Sequence, residues 1–147
     1  MTLGADGVQM GTRFLATEES NAPEVYQRLL LDAEEGDAKV YSSAYHPGRA
    51  LSSPVVERLL EMERAGAPME EIRAYLGRGR AKKAAHESDL EEGMFYAGAG
   101  AALVKDVLPV GVLLDRILDE YRQAVGRAAG LMAPAEEGAE PPRAADA

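Results

Sequence analysis

Apolar residues recur every three or four positions over most of this chain, which is the spacing of an amphipathic helix. The pattern is longest in residues 109–129, where charged side chains occupy the opposite face. Shorter segments with the same spacing predict three further helices, at residues 21–33, 53–66 and 68–77. The sequence therefore predicts a chain in which helices outnumber strands.

The ends of the shorter helices carry residue types that start or stop helices. Asn21 precedes Glu24 by three positions, the spacing of a capping box, and Ser53 stands directly before the second helix. Pro68 is expected to open the third helix and Gly77 to end it.

Strand candidates are few and short. Residues 39–43 are the best of the later ones, and a weaker candidate lies near Val104. Residues 8–10 predict a very short strand that Gly11 closes. Because an isolated strand leaves its backbone donors and acceptors unpaired, this strand needs partners from later in the chain or from outside it.

Composition excludes several classes of function. The chain of 147 residues has 25 acidic and 16 basic side chains, a net charge of −9, so we expect no nucleic-acid partner. It has no cysteine, and its two histidines lie far apart, so we expect no metal site. No apolar run is long enough to span a membrane, and we expect a cytoplasmic protein.

The sequence QMGT, at residues 9–12, is the first candidate for chemistry. A glycine just past a short strand lets the backbone approach an anion, and the hydroxyl of Thr12 adds a donor to the exposed amides. The alternative is that Gly11 only ends a strand and Thr12 only starts a turn.

Three other segments combine chemical groups with plain structural alternatives. The basic residues between positions 78 and 83 could meet a phosphate, although a solvated helix end has the same composition. The glycine-rich residues 91–106, with Phe95 and Tyr96, could cover a flat apolar ligand or pack tightly on a neighbouring element. His46 has the residue type of a general base but no identified partner.

Four segments in this order resemble the C-terminal part of the nitronate monooxygenase family, also called the 2-nitropropane dioxygenases. That family is similar to the flavin-dependent enoyl-acyl-carrier-protein reductases of type II. The segments are GADGVQMGTRFLATEES at residues 4–20, YSSAYHPGRAL at 41–51, GRGRA at 77–81, and DLEEGMFYAGAGAALVKDVLPVGVLLDRIL at 89–118.

The resemblance implies an α/β fold, the FMN-binding TIM barrel, of which this chain holds only the C-terminal part. Residues 1–36 would form the last strand and helix of the (β/α)8 barrel, and residues 37–132 a mostly α-helical lobe that covers the flavin. Residues 133–147, rich in Ala, Pro and Glu, are expected to be a disordered tail.

The resemblance also implies the site residues. The FMN phosphate would be held by Gln9, Met10, Gly11 and Thr12, and the substrate cleft would lie near Tyr96 and Gly98. Many relatives have Gly-Gln where this chain has Gly98 and Ala99, so a side-chain amide near the cleft is absent. The catalytic histidine of the family lies upstream of the matched segments, so no catalytic residue is assigned here.

The expected function is that of a C-terminal fragment of an FMN-dependent oxidoreductase that oxidises alkyl nitronates with dioxygen. The alternatives are a fragment of an NAD(P)H- and FMN-dependent enoyl reductase and a non-catalytic helical interaction module. We expect the chain alone to retain no flavin tightly and to be inactive. Barrel surfaces left exposed should promote self-association.

Overall fold

The computed structural model describes residues 4–41 and 47–132. These residues belong to two units, one that ends at Val110 and one that begins at Gly111. The first unit contains helices α1 to α5, strands β1 and β2, a π-helical turn at Lys83–Glu87 and a 3-10 helix at Ala99–Leu103. The bounds are α1 Thr12–Leu15, α2 Glu24–Leu31, β1 Ala38–Tyr41, β2 Gly48–Leu51, α3 Pro54–Arg64, α4 Met69–Leu76 and α5 Arg80–Lys82.

The described residues of the second unit, 111–132, all belong to helix α6, Val110–Met132. Its polar face carries an ion pair one turn apart, in which an Arg122 nitrogen lies 2.7 Å from Asp119. In the described part of the chain, no helix is both long enough and apolar enough to cross a bilayer.

The structure confirms three of the four predicted helices with their expected starts, although α3 ends at Arg64, before the predicted Gly66, and α6 continues past residue 129 to Met132. The amide of Val56 donates to the Ser53 hydroxyl at 3.4 Å, which caps α3. Helix α4 begins after Pro68 and ends at Gly77, whose φ of 57° favours glycine. The predicted long helix is α6.

The capping box predicted for α2 is wrong, although the helix exists. Pro23 is the N-cap residue, and no side chain accepts a hydrogen bond from the first turn. Asn21 lies two positions before that cap and is exposed, so it stands outside the helix that it was expected to start. Helix α2 ends at Leu31 rather than near residue 33.

The strand prediction near Val104 is wrong, the one at 39–43 is partly confirmed, and the one at residues 8–10 stays a prediction, because its expected partners could lie outside the chain. Residues 8–10 have no strand partner in the described part of the chain, so no ladder forms there. Instead of a strand, the chain before Val104 forms a 3-10 helix, and the Val104 amide donates to the Ala101 carbonyl at 2.9 Å. The strand expected at 39–43 appears as β1, Ala38–Tyr41, and its last two predicted residues lie outside the described ranges.

Strand β2 was not predicted, and it pairs antiparallel with β1 from Ala38 opposite Leu51 to Tyr41 opposite Gly48. Gly48 permits this register, because a Cβ there would lie 2.2 Å from the Tyr41 hydroxyl. The hairpin therefore needs glycine opposite tyrosine.

Residues 94–98 run along the free edge of β2. The Leu51 amide donates to the Phe95 carbonyl at 2.8 Å, and the Ala97 amide donates to the Arg49 carbonyl at 3.3 Å. Met94 packs into one apolar cluster, with β2 and helices α3 and α4, whereas Phe95 packs into another, with α2. The segment is thus fixed between two parts of the core.

The domain boundaries expected at residues 36 and 132 stay predictions. His46 and the predicted tail, residues 133–147, lie outside the described ranges.

Candidate functional site

An open cleft of about 540 Å³ lies where three chain segments meet. The segments are the turn before α1, the start of β2, and the residues that follow Phe95. Four residues that the sequence analysis assigned to a site line this one cleft. The lining residues are Gly11, Thr12, Leu15, Tyr26, Arg49, Tyr96, Ala97 and Gly98.

The turn at Gly11 and Thr12 leaves backbone donors available at the edge of the cleft. The Gly11 carbonyl accepts the Phe14 amide at 2.9 Å, which closes the first turn of α1. The amides of Gly11 and Thr12 have no acceptor within residues 4–41 and 47–132, as expected at a helix start. No atom lies within 4 Å of the place where a Cβ of Gly11 would stand, so the backbone is open to an approaching ligand.

A hydrogen bond joins this turn to the residues after Phe95. The Gly98 amide donates to the Thr12 hydroxyl oxygen at 2.8 Å. Since that oxygen accepts this proton, the hydroxyl hydrogen remains available to donate to an acceptor in the cleft. The contact is close, because a Cβ at position 98 would lie 3.4 Å from the Thr12 oxygen.

Tyr26 supports the wall of the cleft from below. Its hydroxyl donates to the Tyr96 carbonyl at 2.6 Å, and its ring meets Phe95 edge to face with the centroids 5.0 Å apart. Tyr26 is 6% exposed, and this burial, with a smaller effect of Tyr96, raises its pKa to about 12. The phenol therefore stays protonated at neutral pH, and its hydrogen bond fixes the backbone at Tyr96.

The side chain of Tyr96 is 42% exposed and lines the cleft. Both of its backbone neighbours, Phe95 and Ala97, are buried. The alternation places only the Tyr96 ring on the open side, where it can contact a flat ligand.

Arg49 also lines the cleft, and the sequence analysis missed it. One of its terminal nitrogens donates to the Ala38 carbonyl at 2.8 Å across the hairpin. If β2 is recognised as a strand, Arg49 stands out as a charged residue directly before the apolar Ala50 and Leu51, which are buried in the structure. That pattern could have revealed it as an exposed strand residue.

Two predicted phosphate ligands do not line the cleft. Gln9 and Met10 are exposed and precede the turn. His86 is exposed and also lies outside the lining. No cluster of potential metal ligands occurs in the described ranges.

The basic segment at residues 78–83 has a structural role at Arg80. Its guanidinium donates to the carbonyls of Leu76 at 2.9 Å and Tyr75 at 2.7 Å, and to a Glu92 carboxylate oxygen at 2.9 Å. It also lies 4.9 Å from the centre of the Tyr75 ring. These contacts use most of the donors of Arg80, so it is not a candidate phosphate ligand.

Comparison with known proteins decides the family. The family described as Nitronate monooxygenase matches residues 1–120 of this chain. This chain belongs to the nitronate monooxygenase family. Among its relatives, a nitronate monooxygenase of Neurospora crassa is 26% identical over 136 residues, which cover 84% of this chain and 34% of that protein. A probable nitronate monooxygenase of Bacillus subtilis is 28% identical, over 82% of this chain and 35% of the relative.

Solved structures show the same relationship. FabK from Thermotoga maritima superimposes with a TM-score of 0.80 at 34% identity, over 88% of this chain and 41% of FabK. A nitroalkane oxidase from Streptomyces ansochromogenes gives a TM-score of 0.63 at 29% identity, over 86% of this chain and 36% of the oxidase. The chain spans about a third of the length of the curated relatives it matches. The likeness supports the barrel family, of which the described residues form a part with few strands.

Proposed function

We propose that this chain is part of an FMN-dependent oxidoreductase of the nitronate monooxygenase type. The turn at Gly11 and Thr12 would hold the flavin phosphate, and Tyr96 and Gly98 would border the space where the substrate approaches. The single observation that carries this proposal is the hydrogen bond from the Gly98 amide to the Thr12 hydroxyl, because it joins the two predicted half-sites in one cleft.

The residues present fit a phosphate group. Two backbone amides and one hydroxyl hydrogen have no acceptor in the described part of the chain, and all three belong to Gly11 and Thr12. A phosphate monoester offers several acceptor oxygens and a negative charge, which suits such a donor set. Among the residues that the structure describes, no carboxylate lines the cleft to repel it.

When bound, FMN supplies the electron-transfer chemistry of the reaction, and the protein supplies binding and orientation. In this proposal Thr12 fixes one end of the cofactor, and the exposed ring of Tyr96 helps to exclude water from the cleft. The substrate would be an alkyl nitronate that is oxidised with dioxygen. The catalytic base is not assigned to any cleft-lining residue among those that the structure describes.

The structural similarity to FabK favours a second candidate, an NAD(P)H- and FMN-dependent enoyl reductase. Its similarity in structure is higher than that of the nitroalkane oxidase, with TM-scores of 0.80 and 0.63. Both candidates use the same cofactor site. A third candidate, a non-catalytic interaction module, predicts no phosphate preference at the cleft.

The test compares FMN with riboflavin, which lacks the phosphate. Dissociation constants are measured by NMR titration of the whole chain, because we expect weak binding. FMN should bind more tightly than riboflavin, and Thr12→Val should weaken FMN binding about tenfold, the effect of one hydrogen bond to a charged group. Thr12→Ser keeps the hydroxyl and should retain the preference. Equal affinities for FMN and riboflavin in the unsubstituted chain contradict the proposal.

A further inference from the structure

Of the described residues that line the cleft, Arg49 alone is charged, and the resemblance to known families assigns it no role. We propose that Arg49 provides the positive charge that pairs with the phosphate monoester of the ligand bound at the Gly11–Thr12 turn. This inference rests on the proposed function, because it takes the phosphate of FMN as the group that is recognised.

The hydrogen-bonding capacity of Arg49 is largely unused. A guanidinium has five N–H donors, and one of them is spent on the Ala38 carbonyl at 2.8 Å. Neither a carboxylate nor a further acceptor contacts Arg49 within residues 4–41 and 47–132. Other arginines of the first unit differ: Arg13 pairs with Asp106, and Arg80 pairs with Glu92.

The single bond to Ala38 also restricts where the guanidinium can lie. It ties the end of the side chain to the neighbouring strand β1. Because the side chain is already held at this end, less conformational entropy is lost when its remaining donors bind an anion. Arginine suits this task because its planar donor fork matches the oxygens of a phosphate.

Electrostatics gives the reason for a cation at this place. The turn at Gly11 and Thr12 offers only neutral donors, and the chain as a whole has a net charge of −9, which opposes the approach of an anion. A local positive charge offsets that field. Within residues 4–41 and 47–132, no other residue that lines the cleft can provide it.

The backbone of Arg49 is mechanically joined to the proposed phosphate turn. Its carbonyl accepts the Ala97 amide at 3.3 Å, and the next residue, Gly98, donates to the Thr12 hydroxyl at 2.8 Å. This short chain of contacts holds strand β2 beside the turn. Arg49 and the turn line the same cleft, so a phosphate held at the turn lies in the space that Arg49 borders.

The test uses the ratio of the riboflavin dissociation constant to the FMN dissociation constant, measured by NMR titration of the full chain. Arg49→Met should lower this ratio about fivefold, the upper range for a solvent-exposed ion pair. Arg49→Lys keeps the charge without the fork and should give an intermediate ratio. Arg58→Met removes the same charge from an exposed residue that pairs with Glu61, away from the cleft lining, and should leave the ratio unchanged.

The outcomes separate this inference from the proposed function. If the unsubstituted chain prefers FMN and Arg49→Met keeps that preference, the role of Arg49 is refuted while the proposed phosphate turn stands. A substitution that weakens FMN and riboflavin binding equally also refutes it, because such a change reports a damaged cleft. If the unsubstituted chain does not prefer FMN, the proposed function fails and this inference fails with it.

Discussion

Replacing Arg80 with lysine tests the role that the structure gives to the basic segment. The substitution keeps the charge but removes the planar fork, which now reaches the carbonyls of Leu76 and Tyr75 and the carboxylate of Glu92. A lysine ammonium group cannot reach these separated acceptors together. If basic residues here served only as a solvated surface, the exchange would have no measurable effect.

The structure sets the size of the expected effect. The Arg80 side chain is 13% exposed, so its bonds to carbonyls are shielded from water better than surface ion pairs are. Losing two such bonds costs about 2 kcal/mol, and losing the contact with the Tyr75 ring costs about 0.5 kcal/mol more. The exposed bond to Glu92 adds little. We expect Arg80→Lys to lower the free energy of unfolding by about 2 to 3 kcal/mol.

Urea unfolding followed by circular dichroism measures this loss, and Arg78→Lys is the matched control. Arg78 is exposed and makes no ion pair or side-chain hydrogen bond within the described ranges, so its exchange should change stability by less than about 0.5 kcal/mol. Equal stabilities of the two variants would refute the structural role of Arg80.

Three further predictions concern packing and pH, and each is checked by equilibrium unfolding. Gly93→Ala should lower the free energy of unfolding by about 2 kcal/mol or more, because the new Cβ would lie 2.2 Å from a backbone oxygen. Gly126→Ala places its Cβ in open space on α6 and should stabilise that helix by about 0.5 to 1 kcal/mol. Similar effects at the two sites would contradict this packing. Tyr26→Phe should cost about 1 kcal/mol at neutral pH. Because the pKa of Tyr26 is raised from 10.0 to about 12, its contribution to stability is present below pH 10 and is lost as the pH rises towards 12. The phenylalanine variant should therefore lose less stability over that range than the unsubstituted chain. Identical alkaline profiles of the two proteins would contradict the burial of this hydroxyl. Hydrogen bonds from Lys39 and Ser52 lower the pKa of Glu57 below 4.5, so its contribution to stability is present above that pH and is lost as the pH falls. Glu57→Gln should therefore make stability depend less on pH in the acid range. An unchanged dependence would contradict this role.

The sequence predicted the helices well because their determinants are local. Ser53 caps α3 through a neighbour three residues away, and Gly77 ends α4 through its own backbone conformation. Strand pairing depends on distant partners, and this explains the errors. Residues 8–10 have strand-like composition but no described partner, while β2 forms because Gly48 fits against the Tyr41 ring.

The candidate site shows the same division. Gly11, Thr12, Tyr96 and Gly98 were assigned from a resemblance in sequence, and the structure brings all four to one cleft. Arg49 could not be assigned in this way, because it enters the cleft only through the pairing of β2 with residues 94–98. The functional roles of all these residues remain proposals.

The central claim is that the Gly11–Thr12 turn, to which the Gly98 amide is hydrogen-bonded, recognises the phosphate of a flavin. The most direct measurement is a map of backbone amide shifts in two-dimensional ¹H–¹⁵N NMR spectra, recorded with FMN and with riboflavin at the same concentration. The account predicts that the difference between the two maps is centred on the amides of Gly11, Thr12 and Gly98. Maps that coincide at these amides, or a difference centred on another part of the chain, would contradict it.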